Sequence, residues 1–168
     1  MNNPLKWLFS KFRRLPDRRY RWTDRSRAVL FRANSVALER GARAITADHL
    51  WAGLLYDPGV GVHILISLGV SLDDLRAVVM PPIPHQPPDS SVLDYHSSNL
   101  AQKYPLSKVS NLVVERAIQE SALLNDNYCG TEHLVLALIQ TETCVSSLIA
   151  KANVTRNNYL AQLKLTRE

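Results

Sequence analysis

Apolar side chains recur along much of the chain at the spacing of three and four residues that is typical of α-helices. Residues 24–40 show this spacing clearly, since Val29, Ala33 and Val36 would share one helix face. No segment shows the sustained alternation of apolar and polar residues that marks a half-buried strand. The pattern therefore predicts an all-α fold without a sheet.

The pattern in one half of the chain repeats in the other. Residues 22–79 align without a gap with residues 106–163, so each position has a counterpart 84 residues later. Few of these pairs are identical, but hydroxyl and apolar positions recur in phase along the alignment. Identical pairs include Ser26/Ser110, Arg32/Arg116, His49/His133 and Leu54/Leu138. We therefore expect two pseudo-symmetric four-helix repeats, about eight helices in all, folded against each other.

Short hydroxyl residues stand where the first helix of each repeat is predicted to begin. Thr23 and Ser107 would cap these helices, since their side-chain oxygens can accept hydrogen bonds from free N–H groups of the first turn. Gly41 and Asn125 stand where left-handed residues commonly end a helix. The predicted first helices span 24–40 and 108–124, the second begin near Asp48 and Glu132, the third span 59–68 and 143–152, and the fourth follow Ser71 and Thr155.

Proline and charge divide the chain into further segments. Residues 81–91 contain five of the nine prolines, which excludes a continuous helix and predicts an extended linker. Residues 1–21 contain seven of the 20 basic residues and one of the 15 acidic residues. The predicted organisation is a basic amphipathic tail at 1–21, a first repeat at 22–80, a proline-rich linker at 81–105 and a second repeat at 106–165.

The basic tail accounts for the charge of the whole chain. The formal net charge is +5 and the pI about 9.4, yet the residues after the tail are close to neutral. A near-neutral body argues against a nucleic-acid interface on the repeats themselves. The tail mixes Leu5, Trp7 and Phe9 with lysines and arginines. It would therefore either contact an anionic membrane, a nucleic acid or a partner, or serve as a solubilising leader.

Length, hydropathy and cysteine content favour a cytoplasmic globular protein. With 168 residues, 46% of them hydrophobic and 21% charged, the chain can build a sizeable core. No apolar run reaches the roughly 18 residues needed to cross a bilayer, and the first residues lack the charge order and cleavage site of a secretory signal. Cys129 and Cys144 do not make a disulfide framework, so we expect the reducing cytoplasm as the compartment.

Three segments of the chain carry a family resemblance. They read W-T-D-R-S-R-A-V-L at 22–30, H-I-L-I-S-L-G-V-S-L-D-D-L-R at 63–76 and C-G-T-E-H-L-V-L-A-L at 129–138. Together with the duplication, they resemble the Clp N-terminal repeat domain over residues 22–165. In the family, this domain is the amino-terminal module of protein-unfolding ATPases such as ClpC and ClpA. The resemblance implies a non-enzymatic module that receives substrates and adaptors.

The chain lacks the motif of the ATPase modules that accompany this domain in the family. No G-x-x-x-x-G-K-[ST] sequence occurs in the 168 residues. We therefore expect a stand-alone domain that acts as an adaptor, decoy or regulator of an unfoldase–protease. Its expected partners are Clp ATPase or protease subunits, substrates or adaptors. The alternative is a membrane- or nucleic-acid-associated protein that acts through its basic tail.

The resemblance also implies a ligand. ClpC-type domains recognise phosphoarginine with the threonine at the start of the first helix and the glutamate of G-T-E-H in each repeat. Carried over, the second repeat offers Ser107 and Glu132, and the first offers Thr23 and Asp48. The chemistry fits, because a helix N-terminus suits a phosphate and a carboxylate suits a guanidinium. The alternative is that these residues only cap helices and favour the helix dipole.

The first repeat departs from this motif in two ways. Asp48 is one methylene shorter than Glu132, so its reach differs by roughly 1 Å or more, enough to spoil a bidentate pair. Residues 46–47 are Thr-Ala where residues 130–131 are Gly-Thr, so the local cap is expected to be lost or moved by one residue. Glu132 is therefore the preferred ligand-binding carboxylate.

We expect no catalytic residue, metal ligand or cofactor. His49 and His133 follow carboxylates, but adjacent helical residues point about 100° apart, so neither pair is a ready dyad. Neither histidine has a cysteine or carboxylate at zinc-ligand spacing. Cys129 stands beside a predicted helix N-terminus, which can lower a thiol pKa, yet no orienting base accompanies it. The sequence therefore predicts a binding protein rather than an enzyme.

Overall fold

A computed structural model of the chain describes residues 21–80 and 104–168. These residues contain eight α-helices and two strands of two residues each. In chain order the elements are β1 (Arg21–Trp22), α1 (Asp24–Glu39), α2 (Ala47–Tyr56), α3 (Val60–Ser67), α4 (Leu72–Val79), α5 (Lys108–Leu123), β2 (Tyr128–Cys129), α6 (Thr131–Leu138), α7 (Ser146–Lys151) and α8 (Arg156–Arg167). The predicted all-α class is confirmed, with α1–α4 forming repeat 1 and α5–α8 forming repeat 2. All but the last residues of the predicted tail (1–21) and linker (81–105) lie outside the described ranges.

Hydroxyl caps begin the first helix of each repeat, as the sequence predicted. The Thr23 side chain accepts a hydrogen bond from the Ser26 backbone N–H at 3.1 Å. The Ser107 side chain accepts the corresponding bond from Ser110, also at 3.1 Å. Because the caps are local, both helices start at the predicted residue.

Left-handed residues end corresponding helices in the two repeats. Gly41 (φ +62°) and Asn125 (φ +58°) follow α1 and α5, where the sequence predicted them. Gly69 (φ +91°) and Asn153 (φ +52°) follow α3 and α7. Each pair is separated by the same 84 positions as the sequence repeat. The duplication therefore extends to the backbone conformation of the turns.

The prediction of no sheet is corrected by one minimal pairing. β1 and β2 pair in parallel, with Trp22 opposite Cys129. A single parallel bridge joins Ile45 to Leu106. Each of these segments leads directly into a helix and is too short to show an alternating pattern in the sequence.

These two pairings are reciprocal between the repeats. Trp22 is the counterpart of Leu106, and Ile45 is the counterpart of Cys129. Exchanging the repeats therefore converts one pairing into the other. Such exchange is typical of a twofold interface, so it supports the predicted pseudo-symmetric arrangement.

The helices α2 and α6 form the centre of the fold. All eight residues of α6 are buried, and so are most residues of α2. The buried Trp51 side chain of α2 donates through Nε1 to the Thr143 hydroxyl of the other repeat at 3.2 Å. Gly53 allows α2 to approach α1 so closely that a Cβ atom would lie 2.4 Å from the Val29 carbonyl oxygen. The core is therefore continuous across the two repeats.

Among the described residues, no helix is by itself long and apolar enough to cross a bilayer. Only α2 and α3 taken together meet the criteria of length and composition, and they are bent by 91° at their junction.

Candidate functional site

The structure does not bring together the residue pairs that were expected within each repeat. Arg25 in the first turn of α1 pairs with Asp57 just after the end of α2, so these helices run antiparallel and Thr23 lies at the end of α1 that is far from Asp48. The 16 residues of α1 separate these ends by about 24 Å. Ser107 and Glu132 are separated in the same way by the 16 residues of α5. The pairing within each repeat is therefore corrected, while a ligand role for these residues stays a prediction.

Thr23 lies beside the segment that carries Glu132. The Thr23 backbone N–H donates to the Cys129 carbonyl oxygen at 3.2 Å, and Cys129 leads through Gly130 into α6. We call residues 22–25 and 129–132 the Thr23–Glu132 junction. It combines the start of α1 from repeat 1 with the start of α6 from repeat 2.

Ser107 lies beside the segment that carries Asp48. The Ser107 backbone N–H donates to the Ile45 carbonyl oxygen at 2.9 Å, and the Ser110 hydroxyl donates to the same oxygen at 2.8 Å. We call residues 106–109 and 45–48 the Ser107–Asp48 junction. The four predicted ligand residues therefore form two junctions, and each junction takes one residue from each repeat.

The Glu132 side chain folds back over the N-terminal end of its own helix. It is only 6% exposed, and its carboxylate lies so close to Gly130 that a Cβ atom there would be 2.3 Å from Glu132 Oε2. Only glycine at position 130 leaves room for this conformation. At the counterpart position, repeat 1 carries Thr46, which has a side chain. The first turn of α2 is therefore unable to hold a carboxylate in the same way.

Asp48 instead contacts the opposite repeat. Its Oδ1 accepts a hydrogen bond from the Cys144 backbone N–H at 3.0 Å. The side chain is half-buried, whereas that of Glu132 is buried. Asp48 is thus partly engaged in holding the two repeats together.

Arg167, in the last turn of α8, reaches the carboxylate of Glu132. Its Nη2 lies 3.5 Å from Glu132 Oε1 and donates to Asp126 Oδ2 at 2.7 Å and to the Tyr128 hydroxyl at 3.0 Å. Its Nη1 is 3.3 Å from Asp126 Oδ1. We call Asp126, Tyr128 and Glu132 the acidic cradle. Burial lowers the pKa of Arg167, but the hydrogen bonds to Asp126 outweigh it and raise the pKa above its ordinary value, so this guanidinium is charged.

His133 connects the acidic cradle to the cap of α6. The Gly130 backbone N–H donates to His133 Nδ1 at 2.9 Å, so the ring proton lies on Nε2, which donates to Asp126 at 2.9 Å. Burial is the main cause that lowers the pKa of His133, and the neighbouring carboxylates oppose it. The ring is fully buried and its two nitrogens are occupied. His133 therefore serves as a capping residue.

The cap in repeat 1 has the same register. The Thr46 backbone N–H donates to His49 Nδ1 at 3.0 Å, as Gly130 does to His133. The expectation that this cap would be lost or moved is wrong, because the histidine three residues into the helix supplies the acceptor in both repeats. The Thr131 hydroxyl, whose counterpart is Ala47, instead accepts from the Gly61 N–H at 3.4 Å across the repeat interface.

One further cation borders the Thr23–Glu132 junction. A Cβ atom placed on Gly59 would lie 2.8 Å from Arg25 Cδ and 2.7 Å from the Thr131 hydroxyl oxygen, so Arg25 and Thr131 flank the same point. Arg25 forms an exposed ion pair with Asp57 at 3.3 Å. An exposed pair of this kind contributes little and exchanges readily. The junction thus combines a carboxylate, a helix N-terminus and a partly exposed cation.

The described residues assemble no metal centre. No group of three His, Cys, Asp or Glu side chains within them is placed to hold a metal ion. Burial raises the pKa of the Cys129 thiol well above its usual range, contrary to the lowering considered from sequence. Burial and Asp48 raise the pKa of Cys144 to about 12. Neither thiol therefore has the lowered pKa that activates a cysteine nucleophile.

The sequence motifs did not indicate Arg167, Asp126 or Tyr128 as residues of the site. The counterparts of Asp126 and Tyr128 are Ala42 and Ala44, so these residues fall outside what the two repeats share. A comparison of charge between the two repeats would have marked Asp126, whose counterpart is uncharged. The proximity of all three residues to Glu132 depends on tertiary packing and has no signal in the repeat pattern.

Comparison with known proteins agrees with this architecture. A family model described as the Clp repeat N-terminal domain matches residues 21–153. The chain belongs to this family. An uncharacterised protein of Mycobacterium tuberculosis is 34% identical over 124 residues, which are 73% of this chain and 44% of the relative. The ATP-dependent Clp protease ATP-binding subunit ClpC of Staphylococcus epidermidis is 28% identical over 130 residues, which are 77% of this chain and 15% of the relative.

A solved structure has the same fold as this Clp repeat domain. The N-terminal domain of the chaperone ClpD from Arabidopsis thaliana has a TM-score of 0.59 and 19% identity, and covers 91% of this chain and 99% of that chain. At this identity the likeness concerns the fold. The chain spans less than half the length of the curated relatives that it matches.

Proposed function

We propose that this Clp repeat domain is a non-enzymatic protein-binding module of the Clp protease and chaperone system, which receives substrates, adaptors or Clp subunits. The match of the family model over residues 21–153 supports this assignment. The two junctions, each with a helix N-terminus next to a carboxylate, fit a role in recognising short charged groups. Cytoplasmic location and a role as adaptor, decoy or regulator belong to the same proposal.

The finer proposal is that the Thr23–Glu132 junction binds phosphoarginine. The Glu132 carboxylate would accept from the guanidinium group, while the first turn of α1, capped by Thr23, would face the phosphoryl group. The observation that carries this proposal is that Glu132 already lies against a guanidinium, that of Arg167. Arg25 borders the junction and would add a positive charge for the phosphoryl group.

The Ser107–Asp48 junction is proposed as the weaker site. Ser107 retains the hydroxyl and the helix N-terminus, but Asp48 is shorter and already accepts from the Cys144 N–H. A guanidinium would therefore compete with a contact that joins the repeats. We expect a clear difference in affinity between the two junctions.

Calorimetry with free phosphoarginine tests both parts of the proposal. We expect heat of binding with phosphoarginine and none with arginine at the same concentration. Glu132→Gln keeps the shape of the side chain and should weaken binding at least about tenfold, because a charge-assisted hydrogen bond contributes about 1.5 kcal/mol or more. The matched variant Asp48→Asn should change this affinity less than about twofold. Absence of heat, or equal affinity of Glu132→Gln and the unchanged chain, would exclude the ligand.

A second candidate function rests on the charge of the tail. Residues 1–21 combine seven basic residues with apolar and aromatic ones, whereas the rest of the chain is close to neutral. Contact with an anionic membrane or a nucleic acid through this segment is therefore the alternative proposal. It predicts that binding to anionic vesicles or to DNA disappears when residues 1–21 are deleted and survives Glu132→Gln. Of this segment, only Arg21 is among the described residues.

A further inference from the structure

The C-terminal helix of repeat 2 is longer than its counterpart, and the extra length ends in the acidic cradle. α4 spans eight residues, Leu72–Val79, and α8 spans twelve, Arg156–Arg167. The first eight residues of α8 are the counterparts of α4, so the additional turn begins at Lys164. This turn places Arg167 against repeat 2 at the Thr23–Glu132 junction.

Arg167 is held as an arginine ligand would be held. Two of its nitrogens contact the two carboxylate oxygens of Asp126 at 2.7 and 3.3 Å, in the paired arrangement that suits a planar guanidinium. The same Nη2 contacts Tyr128 at 3.0 Å and Glu132 at 3.5 Å. The side chain is nevertheless 34% exposed, and the contacts of its guanidinium with Asp126, Tyr128 and Glu132 are all to side chains. Rotation about the side-chain bonds can therefore release this guanidinium from the cradle without unfolding the domain.

We propose that Arg167 is an intramolecular occupant of the guanidinium site at Glu132, and that it competes with the arginine group of an incoming phosphoarginine ligand. This inference rests on the proposed function. Glu132 is only 6% exposed and its Oε1 already lies 3.5 Å from Arg167 Nη2, so a resident and an incoming guanidinium would exclude each other there. The apparent dissociation constant then rises in inverse proportion to the fraction of molecules in which the site is open.

The sign of one mutational effect separates this proposal from its opposite. If Arg167 belonged to the receptor and attracted the phosphoryl group, its removal would weaken the binding of an anionic ligand. If Arg167 is an occupant, its removal opens the site and binding becomes tighter. A general effect of charge is the same for any nearby cation, and it too predicts weaker binding on removal of the cation.

The experiment is calorimetry of the full chain with free phosphoarginine, for the unchanged protein and for Arg167→Gln, Arg167→Lys and Lys164→Gln. Lys164 is exposed, lies on the same helix and gives the matched loss of one positive charge. We expect Arg167→Gln to bind about three- to tenfold more tightly. Arg167→Lys, which keeps the charge but loses the paired fork, should lie in between, and Lys164→Gln should bind no more tightly than the unchanged chain. A circular-dichroism melt of each variant verifies the fold, and Arg167→Lys carries the test if Arg167→Gln does not fold.

Each outcome decides between the two proposals. Tighter binding by Arg167→Gln, or binding by this variant alone, supports the occupant. Equal or weaker binding by Arg167→Gln overturns the occupant, while binding by the unchanged chain leaves the proposed ligand in place. No binding by any variant overturns both the ligand and its internal competitor.

Discussion

Repeat 1 and repeat 2 stabilise corresponding contacts with different chemistry. In repeat 2, the buried Glu120 accepts from Arg156 at 2.8 and 2.7 Å and from Gln140 at 2.9 Å. The hydrogen bonds from Arg156 and Gln140 outweigh the effect of burial and hold the pKa of Glu120 below its ordinary value. This network joins α5, the end of α6 and α8.

Repeat 1 has apolar or aromatic residues at the same three positions. Val36 and Leu72 are partly buried and pack against the core, and Tyr56 is exposed beneath the guanidinium of Arg32, which lies 3.8 Å from the ring centroid. One helix arrangement is therefore compatible with an ionic and with an apolar contact. This explains why the two repeats keep their helices in phase while sharing few identical residues.

The junctions differ in a similar way. Gly130 permits Glu132 to fold over its helix N-terminus, whereas the side chain of Thr46 prevents this for Asp48. Asp48 therefore links the repeats through Cys144, while Glu132 faces Arg167. The residue two positions before each carboxylate thus affects whether the carboxylate bonds across the repeat interface, as Asp48 does, or contacts a guanidinium, as Glu132 does.

The largest expected effect comes from breaking the ionic network of repeat 2. Arg156→Leu installs the residue of repeat 1 and leaves Glu120 buried without its cation, which should lower the free energy of unfolding by about 3 kcal/mol. Urea denaturation measures the change. The triple variant with Glu120→Val and Gln140→Tyr as well installs the complete apolar set and should recover most of the loss. A triple variant that is less stable than Arg156→Leu would show that the two contacts are not interchangeable.

The next effect concerns the distance between the first and second helices. Gly53→Ala places a Cβ atom 2.4 Å from the Val29 carbonyl oxygen, so α2 must shift away from α1. We expect a loss of about 2 kcal/mol in the free energy of unfolding. The counterpart position holds Ala137, and Ala137→Gly should cost only about 1 kcal/mol through helix propensity. Equal thermal midpoints for Gly53→Ala and the unchanged chain would contradict the close approach.

Substitution of Gly130 at the cap of α6 is expected to change stability less than the two preceding substitutions, but to lower the affinity for phosphoarginine. Gly130→Ser keeps a good capping residue, so stability should change by less than about 1 kcal/mol. The new side chain displaces the Glu132 carboxylate, and phosphoarginine affinity should fall about tenfold. Thr46→Gly, the reverse exchange in repeat 1, is the matched control and should leave this affinity unchanged. If Gly130→Ser keeps the affinity of the unchanged chain for phosphoarginine, the position of the Glu132 carboxylate does not determine ligand binding.

The smallest expected effect is the dependence of stability on pH. Burial lowers the pKa of His49 and of His133 below the value of 6.5 that applies in the unfolded chain. As the pH falls, these two histidines therefore take up protons more readily in the unfolded chain than in the folded chain. The stability that they contribute above pH 6.5 is lost as the pH falls through their pKa values in the folded chain. Urea midpoints should be lower at pH 5.5 than at pH 7.5. His49→Gln and His133→Gln each retain a capping acceptor and should each reduce this dependence; an unchanged pH profile in both would contradict it.

The sequence predicted the features that depend on neighbours along the chain. Thr23 and Ser107 cap within three residues, and the positive φ of Gly41 and Asn125 is a property of the turn itself. One predicted helix boundary was wrong, and a local hydrogen bond explains it. The third helix of repeat 2 was expected to begin at residue 143 and begins at Ser146. The Ser146 hydroxyl accepts from the Thr143 N–H and stabilises a separate turn before the helix.

The features that depend on tertiary packing could not be predicted from neighbouring residues in the sequence. The pairing of Thr23 with the Glu132 segment results from the antiparallel hairpins and from the exchange between repeats. Arg167 is 35 residues from Glu132 in the chain and has no signal in the motif. Thr23, Ser107, Asp48 and Glu132 could therefore be named from the sequence. Their grouping in space, and the contacts of Arg167 with Asp126, Tyr128 and Glu132, could not.

The crossed pairing of the repeats has a consequence for the integrity of the domain. Each junction draws its hydroxyl from one half and its acid from the other, so neither half contains a complete junction. A force or a cleavage that separates the halves would dismantle both junctions in the same event. Under the proposed function, binding of a ligand at either junction would therefore require both halves to be folded together.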